Sequence, residues 1–187
     1  MRRLILVCCI SGMACMIQAC SNGSTADNKD SADSAKAVNK EVKPVPKEAS
    51  DFAVNAYEGG MMEVEAGKLA SEKATNKRVR EFGAMMVEDH SKGNEKLKAI
   101  ASSLNIALPD SLGKDERDEI NKLAGKKQKD FDKDYMDMMV SDHQHDITEF
   151  RKAADKCPDS TLKDFAGNSL PMLEKHLDSA RSITGKK

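Results

Sequence analysis

Cysteine is scarce where a fold could use it. The chain has 5 cysteines in 187 residues, and Cys8, Cys9, Cys15 and Cys20 all fall at its beginning. Once a leader is removed, Cys157 has no partner for an internal disulfide, so packing must hold the fold. An excess of either charge is also missing, with 30 basic residues against 31 acidic ones. That balance offers no basic field, and no nucleic-acid partner is expected. Long hydrophobic runs are absent: the run from Leu4 to Ile17 is too short for a membrane span. No segment alternates apolar and polar residues as a strand does. A glycine-rich phosphate loop, a nucleophile elbow and a paired-cysteine zinc motif are all lacking. The chain carries no catalytic signature, and the reading leans away from an enzyme.

What the N-terminus does contain is a signal. Arg2 and Arg3 precede the short apolar run, which closes on Ile17-Gln18-Ala19-Cys20. A charged start and a short greasy core mark a secretory leader. A cysteine directly after a small residue resembles the lipobox of bacterial lipoproteins. That resemblance implies cleavage after residue 19 and acylation of Cys20, with Cys15 after Ala14 as a weaker competing site. An ordinary cleaved signal is the alternative. Several acyl chains on one cysteine would anchor the protein stably to a bacterial membrane, so its expected place is the cell envelope, at the outer membrane. The protein partner is unknown.

Residues 20–50 are rich in Ser, Asn, Asp, Lys and Ala, with Pro44 and Pro46 near the end. Such a segment buries too little to offset its ordering entropy, and a disordered tether is expected. One domain follows, 51–187, a size suited to a single core.

Apolar residues at three- and four-residue steps predict long helices over 51–74, 76–104 and 127–156, and a last one over about 162–183. A short extra helix is expected at 115–124, between the second and third long ones. The last contains Pro171, whose ring removes a backbone donor and should kink it. Four long helices make a four-helix bundle. Asp132 and Tyr135 are expected to share a hydrogen bond at its end. Gly60, Gly67 and Gly93 are read as points of close helix approach.

Each apolar stripe is broken by a metal-capable side chain: Glu63, His90, His143 with Asp142 beside it, and His176. Glu63, His90 and His143 lie near mid-helix and His176 about a turn beyond, so one polar layer is expected whichever way the helices run. As a structural layer, Glu63 and Asp142 would hold His176 and His90, because buried charges need partners. Asp89 is expected nearer the helix boundary.

The segments GGMMEVEAGKLASEKA (59–74), MMVEDH (85–90), FDKDYMDMMVSDH (131–143) and SLPMLEKHLDSA (169–180) together resemble an exported bacterial family, domain of unknown function 4142, over about 51–183. The resemblance implies a ferritin-like four-helix bundle and no established activity. Ferritin-like di-iron sites use Glu-x-x-His on two helices. Here Val87, Val140 and Leu173 stand three before the histidines, so a di-iron oxidase ranks third. Instead Met86, Met139 and Met172 precede His90, His143 and His176 by four residues, one turn away on the same face. Thioether with imidazole suits copper, while imidazole alone also suits zinc and iron. Methionine is equally a flexible core filler. The leading expectation is a non-catalytic binding or envelope-maintenance protein. The alternative is a transition-metal binder using Glu63, His90, Asp142, His143 and His176, with Met86, Met139 and Met172 as additional ligands.

Overall fold

In a computed structural model, residues 30–42 and 45–185 are described. They form six α-helices and no strand, five of the helices where the stripes predict them: α1 (Ser31–Val42), α2 (Lys47–Lys73), α3 (Lys77–Ser103), α4 (Lys114–Ala124), α5 (Gln128–Lys156) and α6 (Ser160–Thr184). The leader and Cys20 lie outside the described residues. Among those described, no helix is long and apolar enough to cross a membrane.

The helix ends follow local chemistry. Asn76 opens α3 by accepting from the Arg78 N–H, and Asp159 opens α6 by accepting from Leu162, each satisfying a donor that has no partner inside the helix. At the end of α3, Asn105 takes a left-handed φ of 54°. The Ile106 and Asn105 N–H groups then reach back to the carbonyls of Ala101 and Ser102. This is the reversal that lets asparagine or glycine stop a helix. Pro171 sits inside α6, which continues through it to Thr184.

α2 packs on α3 and α5 on α6, while α3 meets α6 and α2 meets α5. Phe52 near the start of α2 meets Phe150 near the end of α5, edge to face at 5.2 Å. Arg78 at the start of α3 bonds Ser182 at the end of α6. Neighbouring long helices therefore run antiparallel. Two glycines bring α2 and α3 close: a Cβ at Gly67 would lie 2.7 Å from the Gly83 carbonyl oxygen. Gly60 is likewise tight, against the Asn94 side chain, whereas Gly93 faces open space and is not a point of close approach.

Two further expectations need correction. Within the stretch read as a tether, residues 31–42 form α1, and α2 begins at Lys47 rather than at 51. Ala32 and Ala35 bury against Val54, with Ala107 and Leu108 beside them. Asn39 clamps α1 by donating to the Ala107 carbonyl at 2.9 Å and accepting from its N–H at 2.7 Å. Small alanines and one bonded asparagine thus order a segment whose composition looks unable to fold alone. The second correction concerns Asp132. It accepts from Thr75 N, Thr75 Oγ1 and Asn76 N, fastening the α2–α3 turn to α5. Tyr135 is fully buried in the core, and its hydroxyl has no hydrogen-bond partner. The two side chains belong to separate environments.

Candidate metal centre

Each long helix delivers one polar group to the middle of the core. His90 stands at the centre of α3 and His143 one residue past the centre of α5, with Glu63 and His176 about a turn past the centres of α2 and α6. Apolar neighbours on both sides bury them: Glu63 is 4% exposed, His90 6%, and His143 and His176 0%. One ring nitrogen from each histidine lies within 4.8 Å of the other two.

The outward nitrogen of each ring is held by the protein. His90 Nδ1 lies 2.7 Å from Glu63 Oε2. His143 Nδ1 faces the Met139 carbonyl oxygen at 3.0 Å. His176 Nε2 faces Asp89 Oδ2, also at 3.0 Å. The Met139 carbonyl and an ionised Glu63 or Asp89 carboxylate only accept, so with both acids ionised each of these nitrogens carries the proton and its ring presents a lone pair on the other side. His143 Nε2 and His176 Nδ1 then face each other at 3.2 Å with no proton between them. His90 Nε2 is buried and has no hydrogen-bond partner. Desolvation pushes all three imidazoles down to about 4, so a shared proton does not fill the gap at neutral pH.

Three inward lone pairs with their opposite N–H groups bonded to acceptors form the arrangement by which proteins orient metal-binding histidines. For a tetrahedral ion with metal–nitrogen bonds of about 2.0 to 2.1 Å, adjacent ligand nitrogens lie about 3.3 Å apart. The separation between His143 and His176 fits this. Beside Glu63 and His90 lies a cavity of about 40 Å³, lined also by Gly93, Asp146 and Met172. That is enough for about one small ligand such as water.

The expected pairing of acids with histidines is not the observed one. Glu63 bonds His90 rather than His176, with its other oxygen 3.4 Å from His143 Nδ1. Asp89, assigned to the helix boundary, holds His176 instead. Asp142 does not bond His90: it is only partly buried, and its Oδ2 has no partner. Met86 and Met139 are fully buried core residues, while Met172 is half-buried at the cavity wall. Asp146 was missed altogether, although Asp142, Asp146 and Glu149 recur at steps that place them on one side of α5. Burial and the nearby Glu63 charge raise Asp142 to about 7 and Asp146 to about 8. Burial alone is the leading cause that takes Glu63 to about 7.

A crystal structure of a DUF305 fragment from Deinococcus radiodurans shares the fold, with a TM-score of 0.67 over 76% of this chain and 98% of that one. At 10% identity the likeness concerns fold alone. No curated protein matches the chain. Residues 31–183 match the family described as Domain of unknown function (DUF4142), and the chain belongs to that family.

Proposed function

We propose that this protein binds one first-row transition-metal ion through His90 Nε2, His143 Nε2 and His176 Nδ1, with Glu63, Asp89 and the Met139 carbonyl orienting the rings. The observation that carries this reading is the convergence of three buried lone pairs whose opposite N–H groups are already bonded. Three neutral imidazoles suit zinc, copper or iron, and the small cavity beside His90 leaves room for one further ligand. The scaffold reads as a ferritin-like four-helix bundle with α4 as its short extra helix. Its centre is poor in the carboxylates a di-iron oxidase requires, since Val87, Val140 and Leu173 occupy the Glu positions of Glu-x-x-His. The role is read as metal binding rather than di-iron oxidation. Elemental analysis of protein purified without a chelating tag should give close to one ion per chain, and His143→Ala should lose it. A metal-free native protein that takes up no ion on incubation would overturn the reading.

We further propose that the protein is held at a bacterial membrane by lipid on Cys20. The support is the Arg2-Arg3 start, the short apolar run and Ala19 before Cys20. Cys20→Ala should move the protein from the membrane fraction to the soluble envelope fraction. Membrane association that survives the substitution would remove the anchor.

A further inference from the structure

Glu63, though buried, borders a second cavity. This is a groove of about 890 Å³ between α2 and α5. Seven further carboxylates line that groove, Asp142, Asp146 and Glu149 of α5 among them, against a single lysine, Lys152. On the opposite side, α3 and α6 flank a groove of about 610 Å³ where Asp89 and Asp164 are balanced by Lys92 and Lys96. The small cavity at the histidines lies between the two. It shares Glu63 and Asp146 with the acidic groove, and Gly93 and Met172 with the balanced one. Two approaches therefore lead toward the same centre, and only one is strongly negative.

A second observation singles out the acidic side. Glu63 Oε2 is bonded to His90, but its Oε1 is buried with no hydrogen-bond partner. Asp142 Oδ2, on the groove wall, is also buried and unpartnered. A carboxyl oxygen withdrawn from water and without a hydrogen-bond donor is satisfied by a proton or by a cation. Glu63 thus has one oxygen that orients the His90 ring and a second, 3.4 Å from His143 Nδ1, that no hydrogen bond engages.

We propose that the α2–α5 groove is the route by which a divalent cation reaches the histidines, with Asp142 and Asp146 capturing it and Glu63 passing it inward. This rests on the metal reading above. A hydrated divalent ion gives up water only as other oxygens replace it. Rim carboxylates concentrate the ion, Asp142 and Asp146 one turn apart supply replacement oxygens, and Glu63 supplies the last before imidazole nitrogen. A cleft lined by one sign of charge raises association rates by about 10- to 1000-fold.

The test is stopped-flow mixing of the full chain with Co(II), followed by the visible absorption of the bound ion. Above pH 8, where both acids are largely ionised, Asp142→Asn with Asp146→Asn should slow association at least about tenfold at low ionic strength and reduce its salt dependence. Glu48→Gln with Glu149→Gln, changes at the rim that leave the core untouched, should slow it about threefold. Asp164→Asn in the opposite groove should leave the rate unchanged. Native rates in both acidic-groove variants, or slowing by Asp164→Asn alone, would overturn the route while leaving the metal site intact. A native chain that develops no Co(II) absorption at equilibrium would instead overturn the metal reading itself.

Discussion

Zn(II) at a hundredfold excess over its dissociation constant should stabilise the native chain by about 2.7 kcal/mol, by mass action on the folded state. For a domain of this size that corresponds to a melting temperature higher by roughly 5 to 10 °C. The expectation follows from three neutral imidazoles already oriented in the folded chain and scattered in the unfolded one, so the ion binds the former far better. His90→Leu should abolish the rise. It removes the inward lone pair that has no other partner and puts an apolar side chain of similar volume in its place. Metal-free His90→Leu should remain folded, because the Glu63 it leaves behind can take up a proton. Melting curves of both proteins with and without Zn(II), Cu(I) and Fe(II) make the measurement. A native curve indifferent to all three ions would return the histidines to a purely structural layer.

Glu63→Gln should weaken metal binding by about 10- to 100-fold without unfolding the protein. The amide oxygen still accepts from His90 Nδ1, so the ring keeps its orientation, but the negative charge that raises its basicity and attracts the ion is gone. The same variant has a pH signature in the metal-free state. Glu63, Asp142 and Asp146 are raised to about 7, 7 and 8, from ordinary values of 4.5, 3.8 and 3.8. Between those limits the folded chain binds protons that the unfolded chain does not, and its stability falls as pH rises. The histidines, lowered from 6.5 to about 4, act in the opposite sense, making stability rise with pH between those values. Above 6.5 only the carboxyl groups still contribute. Metal-free native protein should therefore lose stability from pH 6.5 to pH 8, and Glu63→Gln should lose less. Equal slopes in thermal melts across that range would contradict the assignment, as would undiminished metal affinity in the variant.

The four central residues are legible in the sequence because a polar residue interrupting a helical apolar stripe is visible without knowing the fold. Glu63, His90, His143 and His176 each do so near a helix centre, where height hardly depends on direction. The partner of each ring is not legible. Asp89 adjoins His90 and points about 100° away on the helix, which turns it toward α6 and His176 rather than out of the core. The carboxylates of α5 show a helical spacing, but nothing in it tells whether that side faces water, another helix or a groove. The N-terminal helix escaped for a different reason. Its buried face consists of Ala32, Ala35 and Asn39, residues whose contribution depends on the surface they meet rather than on their own hydrophobicity.

The four central groups come from two separate helical hairpins: α2–α3 supplies Glu63 and His90, and α5–α6 supplies His143 and His176. Each hairpin alone offers at most two nitrogen ligands. The site is thus a seam between halves joined through residues 104–127, and it exists only while they are docked. Without an ion, the hairpins are natural candidates for opening one at a time, each a cooperative unit with its own free energy. An ion held across the seam rivets them, so that opening either half forfeits the whole binding energy. Amide exchange at the α3–α6 and α2–α5 contacts would then approach the rate of global unfolding, and the domain would open as a single unit.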